Sequence, residues 1–524
     1  MHCVIGSGPA GVACAKALLA RGTRVLMLDA GLTLEPDRAR VVGQCAGRKP
    51  AEWTTEQLSV LKGGLAADAG GVELKLVFGS DFPYRETGEH IPWHGVGTGV
   101  KPSLALGGLS NVWGAAMLPH RDADIADWPI RNAGLAEHYR AVARFTGLAA
   151  QRDGLEKLFP LHCEHPGDLK ASRQADRLLA NLTRHQAALN ERGWHFGRAR
   201  VAVRTADRPE GGGCVYCGHC MQGCPYGYIY NAADTVRDLQ EDNNFDYRRD
   251  VIVTMVREAD GRVRITGFHR ETRAPLNFEV KRVYLAAGVI PTAQILLRSQ
   301  GAYDHPLTLR DSQYFLFPLA LARRTRGVQT EALYTLSQLF IELIHPRISR
   351  QGVHLQIYSY SDIIGQVVRK SLGPLKFLAR PLEERLLIAQ GFLHSDDSGT
   401  MSMTLRQRGE RDVLQLEARP NPRTRSIVNK VVRELLGQAR RLGGMVVPPM
   451  LNLAEPGRSF HCGGSLPMST SPGKFESDLL GRPAGWSRVH VVDASILPSV
   501  PATTITFSVM ANAHRIGSAA AEID

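Results

Sequence analysis

The sequence predicts an α/β protein with two domains. One is a nucleotide-binding domain on a parallel sheet, and the other is an α+β domain with a mostly antiparallel sheet. Two observations carry this prediction: the first thirty residues read strand, glycine turn, helix, strand, and strand-like segments such as HLQIYSYS and GTMSMTLRQ follow residue 350. A chain of 524 residues is long enough for more than one domain.

The start of the chain has the pattern of a dinucleotide-binding βαβ unit. Gly6, Gly8 and Gly11 form GxGxxG directly after the apolar strand CVI, and Asp29 ends the second strand. In such a Rossmann-type unit the glycines permit the turn, the approach of a pyrophosphate and close helix packing, and the acidic residue binds a ribose hydroxyl. The extreme N-terminal position and the LDAG sequence favour FAD over NAD.

Composition and charge exclude some classes of partner. The chain has 63 basic and 51 acidic residues, a net charge of +12. This indicates either an arginine-rich solvated surface or a partner with phosphates, such as a nucleotide-sugar, a phospholipid surface or an acidic protein. Nucleic acid is not expected, because no basic run is interleaved with aromatic residues.

The expected location is the cytoplasm, where thiols stay reduced. No charged and apolar leader precedes the first strand, and no window approaches the roughly 20 apolar residues of a membrane span. Residues 371–393 are apolar and basic. They form either a core segment of the second domain or a contact with a membrane surface, which would make the protein peripheral to the inner membrane face.

Four cysteines lie close together in the sequence CVYCGHCMQGCP. Cys214, Cys217, Cys220 and Cys224 have the spacing C-x2-C-x2-C-x3-C-P of a bacterial ferredoxin run. Three interpretations stay open: an iron–sulfur cluster, a loop packed by reduced structural thiols, and a zinc site. Zinc is the weakest, because paired CxxC ligands normally have a longer spacer between them.

Four further stretches, together with the first thirty residues, resemble the glucose–methanol–choline (GMC) flavoprotein oxidoreductases. They are LALGGLSNVWGAAMLPHRDADIADWPI, VYLAAGVIPTAQILLRS, SFHCGGSLPM and VHVVDASILPSVPATTITFSVMANAHRIG. The resemblance is strongest to the branch that holds pyranose oxidases, sugar dehydrogenases and bacterial cholesterol oxidase-like proteins. It covers residues 1–35, about 100–145, 210–300 and 455–524.

The resemblance implies an FAD site. The loop Ser110-Asn111-Val112-Trp113 holds no histidine, so the flavin is expected to be non-covalent. The residues implied to contact FAD are Gly6, Gly8, Gly11, Asp29, Gly107, Gly108, Ser110, Asn111, Trp113, Val253, Ala287, Gly288, Asp493 and Ala494. Some FAD sugar dehydrogenases of this family carry an iron–sulfur cluster near the position of the four cysteines.

The resemblance implies that His461 is the catalytic base. A neutral imidazole can take the hydroxyl proton of an alcohol while a hydride leaves carbon for flavin N5. Where the family usually has a second His or Asn, this sequence has Thr504, followed by Ile505 instead of Pro. A threonine can donate a hydrogen bond to a substrate oxygen but cannot act as a base near neutral pH.

The predicted function is FAD-dependent oxidation of a CH–OH group of a sugar or sugar-like alcohol. Electrons would leave to an acceptor protein or quinone, with the cluster as one route. The alternatives are an oxygen-using alcohol or sterol oxidase and a non-catalytic electron-transfer flavoprotein. The predicted domain boundaries are 1–150, 206–310 and 455–524 for the FAD domain, 151–205 for a helical insert packed on that domain, 207–230 for a Cys-rich loop and 311–454 for the substrate domain.

Overall fold

The computed structural model describes residues 1–63, 66–67, 73–206, 212–409 and 411–520. Residues 207–211, the start of the predicted Cys-rich loop, lie outside them. The α-helices are α1 (Pro9–Ala20), α2 (Pro36–Ala46), α3 (Thr55–Lys62), α4 (Thr87–His90), α5 (Asn132–Thr146), α6 (Arg173–Arg184), α7 (Gln186–Asn190), α8 (Ala232–Leu239), α9 (Val289–Ser299), α10 (Asp362–Leu372), α11 (Ala379–Glu383), α12 (Pro422–Gly437), α13 (Ala439–Leu442) and α14 (Thr506–Ala520).

The strands supply three larger sheets and two smaller ones. They are β1 (His2–Ile5), β2 (Val25–Leu28), β3 (Ala66–Ala67), β4 (Glu73–Leu74), β5 (Trp93–Val96), β6 (Trp194–Arg198), β7 (Phe245–Arg248), β8 (Val251–Ala259), β9 (Arg262–His269), β10 (Pro275–Val280), β11 (Arg282–Leu285), β12 (Pro306–Asp311), β13 (Tyr314–Leu321), β14 (Leu339–Leu343), β15 (Val353–Tyr358), β16 (Leu386–Leu393), β17 (Thr400–Arg408), β18 (Arg411–Arg419), β19 (Gly444–Val446), β20 (Asn452–Leu453), β21 (Cys462–Gly463) and β22 (Val489–Val491).

A parallel sheet in the order β22-β11-β1-β2-β7 forms the nucleotide-binding domain. Its strands come from three distant parts of the chain, which is the discontinuous arrangement that the motifs predict. β1, β2 and β22 are buried along their whole length, as expected for a parallel sheet covered on both faces. The small antiparallel sheet β10-β9-β8 is inserted between β7 and β11.

Helix α1 is buried on nearly all sides because α14 packs against it. Gly517 permits the close approach: a Cβ at this position would lie 2.9 Å from the carbonyl oxygen of Cys14. The C-terminal helix therefore covers the helix that follows the first glycine turn, and the two ends of the chain share one core.

A mostly antiparallel sheet of seven strands forms the second domain, in the order β19-β13-β16-β15-β14-β6, with β20 also paired to β13. The predicted fold class, a Rossmann-type α/β domain with an α+β substrate domain, is confirmed. Residues 151–205 are divided between the two domains: Leu155, Phe159 and Val201 belong to the core of the parallel domain, as the prediction of packing on the FAD domain requires, but the middle of the segment does not. β6 pairs with β14, and α6 buries Leu178 and Leu182 in the core of the antiparallel sheet.

A third sheet, β21-β12-β17-β18-β5, joins the two domains. It takes strands from residues 93–96, 306–311, 400–419 and 462–463, and its buried residues belong to the core of the parallel domain. The pairing of β12 with β21 places Asp311 opposite Cys462, directly beside the predicted catalytic histidine.

Alternation of apolar and polar residues over 353–360 predicts a half-buried sheet, and this is wrong in one respect. All residues of β15 except Tyr358 are buried, including His354 and Gln356. The polar face is not solvated, because it is turned towards the interior cavity described below.

Gly391 in β16 faces the ring of Phe315, and a Cβ there would overlap the ring. We expect Gly391→Ala to force this buried ring aside and to lower the free energy of unfolding by about 1–3 kcal/mol. Gly43→Ala in α2, where a Cβ meets nothing within 4 Å, is the matched control and should stabilise by up to about 1 kcal/mol. Urea unfolding midpoints measure both, and equal midpoints for the two variants would contradict this packing.

Candidate active site

The first glycine turn is shaped by backbone contacts that leave no room for side chains. Gly6 has φ +103°, and a Cβ on it would lie 2.5 Å from the carbonyl oxygen of Ala286. A Cβ on Gly11 would overlap the carbonyl oxygen of Gly6. Gly8 differs, because a Cβ there meets no atom within 4 Å and would project into the cleft. This is the arrangement that lets a pyrophosphate reach the N-terminus of α1.

Asp29 lies at the end of β2, buried at the centre of the cleft. Its carboxylate accepts hydrogen bonds from the Ser7 amide (3.2 Å), the Ser7 hydroxyl (2.7 Å) and the Tyr247 hydroxyl (3.1 Å). Burial raises the pKa of Asp29 to about 6, although these hydrogen bonds oppose the shift. The carboxylate is thus held in one position, where a ribose hydroxyl could meet it.

The second glycine turn packs directly on the first. The Gly107 amide donates to Ser7 Oγ at 2.9 Å, and a Cβ on Gly108 would lie 3.4 Å from the Cα of Gly8. Gly108, Ser110 and Trp113 line the adjoining cavity. The Asn111 side chain instead donates to the carbonyl oxygens of Leu106 and Gly108, so it holds the turn rather than reaching the cleft.

The C-terminal segment closes the cleft from the opposite side. Asp493 accepts hydrogen bonds from the Gly288 amide (3.0 Å) and the Thr292 hydroxyl (2.6 Å), which fix the start of α9. Burial raises the pKa of its carboxyl group. Asp493, Ala494, Ala287 and Gly288 all border the larger cavity described next.

Two cavities of about 400 and 660 Å³ form one elongated cleft, since both are lined by Gly6, Asp29 and Ala287. The smaller one is lined by Val253, one of the residues predicted to contact FAD. The larger one extends past the second glycine turn to His461 and Thr504. The cleft joins most of the predicted FAD-binding residues, so the residues present fit this cofactor; Gly11, Gly107 and Asn111 line neither cavity and shape the two glycine turns instead.

His461 is held by a loop that a single buried carboxylate organises. Asp311 accepts hydrogen bonds from the Gly457 amide (2.8 Å), the Ser459 hydroxyl (2.7 Å) and the Cys462 thiol (3.4 Å). Ser459 Oγ in turn accepts the His461 amide at 2.9 Å. Burial raises the pKa of Asp311 to about 6. Sequence reasoning missed Asp311, because nothing near it in the sequence marks it as part of the site.

The His461 ring lines the larger cavity and stacks on Phe392, with 4.9 Å between ring centroids. Its Nδ1 is buried without a hydrogen-bond partner among the described residues. Burial lowers the pKa of His461 to about 4, with a smaller contribution from His354. The ring is therefore neutral at physiological pH. Thr504 borders the same cavity, and within the described chain its buried hydroxyl also lacks a partner.

A chain of hydrogen bonds on β14 and β15 leads from the interior to the cavity wall. His354 Nδ1 lies 2.5 Å from Glu342 Oε1, both side chains being buried. On the other side of the ring, Gln356 Nε2 lies 3.3 Å from His354 Nε2, and the Tyr358 hydroxyl donates to Gln356 Oε1 at 2.8 Å. Gln356 and Tyr358 line the cavity. The period-two alternation of this strand was the available signal for these residues.

The four clustered cysteines surround one small cavity of about 20 Å³, which has room for about one water molecule. Cys220 Sγ accepts the Thr335 amide at 3.3 Å and Cys224 Sγ accepts the Tyr228 amide at 3.4 Å. Burial raises the pKa of Cys214 and of Cys217 to about 12, and the neighbouring thiols contribute to both shifts. All four thiols are free.

Within the described ranges, no group of three or more His, Cys, Asp and Glu side chains is arranged to hold a metal ion. This supports neither metal interpretation of the four cysteines, the iron–sulfur cluster or the zinc site. The cysteine loop nevertheless borders the larger cavity. Met221 lines that cavity, as does Lys75, which donates to the Trp113 carbonyl oxygen at 2.8 Å and has its pKa lowered to about 8 by burial.

The fold and the cleft are those of a two-domain protein with a Rossmann-type nucleotide-binding domain. Residues 413–513 match the family model described as GMC oxidoreductase. The chain therefore carries the C-terminal domain of the GMC oxidoreductases, and the resemblance predicted from its motifs is confirmed. Proteins of this family bind FAD and act on alcohol-type substrates.

The structure of pyridoxine 4-oxidase from Mesorbium loti matches this chain with a TM-score of 0.59, covering 98% of both chains at 15% sequence identity. At this identity the match shows the fold, which is that of the GMC oxidoreductases. A comparison with curated proteins found no match.

We expect Gly8→Val to fold but to lose FAD, because the new side chain would project into the cleft without meeting protein atoms. Gly11→Val should instead fail to fold, since its Cβ would overlap the Gly6 carbonyl oxygen. Flavin absorbance per protein and a thermal melt distinguish the two results. Full flavin content in Gly8→Val would place the pyrophosphate elsewhere.

Proposed function

We propose that this chain is an FAD-dependent oxidoreductase that oxidises the CH–OH group of an alcohol, with His461 as the base. The observation that carries the proposal is that His461 and Thr504 both line the larger cavity of the cleft. Both have a buried polar atom with no partner in the described chain, and both border the cavity that begins at the glycine turns. Buried polar groups are normally satisfied, and an exception at a cavity wall points to a ligand.

Each side chain has a separate task in this proposal. The neutral His461 ring, which borders the cavity, takes the hydroxyl proton. Thr504 donates a hydrogen bond to the substrate oxygen, and Asp311 keeps the histidine loop in position. Bound FAD would supply the acceptor for the hydride that leaves the substrate carbon, so the alcohol loses two electrons and two hydrogens and becomes a carbonyl compound.

Tyr358, which ends the chain of hydrogen bonds at the cavity wall, is relevant to substrate recognition. Because the Tyr358 hydroxyl donates to Gln356, its oxygen presents lone pairs to the cavity and accepts a hydrogen bond there. A second hydroxyl on the substrate would satisfy it. This supports the predicted sugar-like alcohol, while the apolar residues Leu316, Ile388 and Phe392 on the same wall support the lipophilic alternative.

We expect His461→Ala to lower the rate of anaerobic flavin reduction by about 10²–10⁴-fold while flavin content stays unchanged. Reduction is followed by bleaching of flavin absorbance with a panel of sugars, aromatic alcohols and long-chain alcohols. Thr504→Val should cost much less, because it removes one hydrogen bond and no base. Unchanged reduction in His461→Ala would remove His461 from the mechanism, and failure of every alcohol with the unmodified protein would favour the non-catalytic flavoprotein.

The pH dependence of the flavin reduction rate provides a control for the assignment of His461 as the base. Since burial lowers the pKa of His461 to about 4, the base form is present at neutral pH and is lost only as the pH falls towards 4. The rate should therefore be level from pH 8 to about 6 and decline below that. Asp311→Asn should lower the rate at neutral pH without changing the pH at which the rate begins to decline.

Peroxide formed at the rate of turnover in air would identify an oxidase rather than a dehydrogenase.

We further propose that Cys214, Cys217, Cys220 and Cys224 hold an iron–sulfur cluster beside the flavin end of the cleft. The four thiols face one cavity, and two of them already accept backbone amide hydrogen bonds, as cluster sulfurs do. In a cluster each thiolate binds its own iron, so the sulfurs need not converge on one point. A cluster would supply one-electron transfer to an acceptor protein or quinone, and the loop would have to open beyond its present cavity to admit it.

We expect protein purified without oxygen to contain three or four irons per FAD with matching acid-labile sulfide. Cys217→Ser should remove most of the iron and leave FAD in place. Cys163→Ser, outside the loop, is the matched control and should leave both unchanged. FAD without iron in the unmodified protein would make the four cysteines structural thiols that pack the loop.

A further inference from the structure

A surface segment beside the cavity holds an unusual concentration of exposed large hydrophobic residues. The mouth segment, residues 362–383, consists of α10, the 3-10 turn Gly373–Leu378 and α11. Half of the large hydrophobic residues that are exposed in the described chain lie in it. They are Val367, Leu375, Phe377, Leu378 and Leu382.

Exposure of one such side chain is ordinary, but a group of them on one surface indicates a contact with another molecule or a membrane. Phe377 is 71% exposed and Leu375 is 51% exposed. More than half of the surface of each of these two residues is left uncovered by the described chain. The mouth segment therefore presents several exposed apolar side chains to its surroundings.

The acidic side chains of the mouth segment are all paired with basic ones. Each acidic side chain is tied to a base: Asp362 pairs with Lys62 at 2.6 Å, and Glu383 pairs with Arg369 at 2.5 Å. The buried Glu384, which follows the segment, pairs with Arg324 and Arg380.

The exposed Lys370 and Lys376 stand among the apolar residues of the segment. The outward surface is thus apolar and cationic. This is the combination that places a helix in the interface of an anionic membrane.

The segment is also part of the cavity wall. Ser361, Ile363 and Ile364, at the start of α10, line the larger cavity that holds His461. Val367 follows one turn after Ile363 and Ile364 on the same helix. The exposed apolar surface and the interior of the substrate cavity are therefore joined through one helix.

We propose that the mouth segment docks on an anionic lipid bilayer and that the substrate cavity opens towards it. Phe377, Leu375 and their neighbours enter the interface, while Lys370 and Lys376 bind lipid phosphates. For the enzyme of the proposed function, and resting on that proposal, this geometry selects a lipophilic alcohol that partitions into the membrane. Within the described residues no helix is long and apolar enough to cross a membrane.

A second copy of the chain is the less favoured occupant of this surface. Two copies would bring the same cationic surfaces together, and the whole chain carries a net charge of +12. An acidic acceptor protein would satisfy the charge. It would not require several exposed apolar side chains on a short helical segment, whereas membrane insertion does.

The test is flotation of the FAD-loaded protein with phosphatidylcholine vesicles, with and without phosphatidylglycerol. We expect binding to the anionic vesicles that weakens with salt, and little binding to phosphatidylcholine alone. The variant with both Leu375→Ser and Phe377→Ser should lose binding about tenfold or more, and so should the variant with both Lys370→Gln and Lys376→Gln. The matched control, with Met445→Ser and Met450→Ser, removes two exposed methionines elsewhere and should bind normally.

Flavin absorbance in each variant reports whether the protein is folded. Equal vesicle binding by the unmodified protein and the Leu375/Phe377 variant would overturn the proposal, as would the absence of binding to anionic vesicles. A dimer in light scattering that the same variant abolishes would assign the surface to a second copy. Vesicle binding without alcohol oxidation would retain the docking surface and reject the proposed function, so the two failures are distinguishable.

Discussion

The structure depends on one close backbone contact, between the first glycine turn and the residue that follows β11. Gly6, Gly11 and Ala286 approach so closely that neither glycine can carry a Cβ. This contact seats the N-terminus of α1 over the parallel sheet and aligns β1 with β11. The second glycine turn then packs on Gly8 from the opposite side. Every wall of the dinucleotide cleft is positioned from this contact, and a narrow, donor-rich cleft is what a pyrophosphate requires.

A second constraint, the carboxylate of Asp311, extends the cleft into a site for chemistry. Asp311 ends β12 in the sheet that joins the two domains, and it gathers the amide of Gly457, the hydroxyl of Ser459 and the thiol of Cys462. A buried charge is stable only with such partners, so the loop and the carboxylate hold each other in place. His461 is consequently presented to the cavity by a rigid loop, which a base must have to meet a proton reliably.

Burial is the common cause of the electrostatic character of this region. It keeps His461 neutral, lowers the pKa of Lys75 to about 8, and raises the pKa values of Cys214, Cys217 and Cys224. The neutral His461 and the cluster of partly buried thiols are chemically different settings within one chain. The first suits proton removal. The second favours thiolates only when a metal centre compensates their charge.

Local patterns in the sequence determined the nucleotide-binding half of this protein. GxGxxG with Asp29, the Gly107–Gly108 turn and the VVDAS segment each specify a backbone shape within a few residues, so their fold followed from the sequence. The sequence also marked His461 and Thr504, whose assignment to catalysis stays a prediction.

Only the tertiary structure decided which distant residues support these local motifs. Asp311, which lies opposite Cys462, carries no local signal, and part of segment 151–205 joined the antiparallel sheet because β6 could pair with β14 there. Such contacts arise from strand pairing across more than a hundred residues, and a local pattern cannot specify its partner.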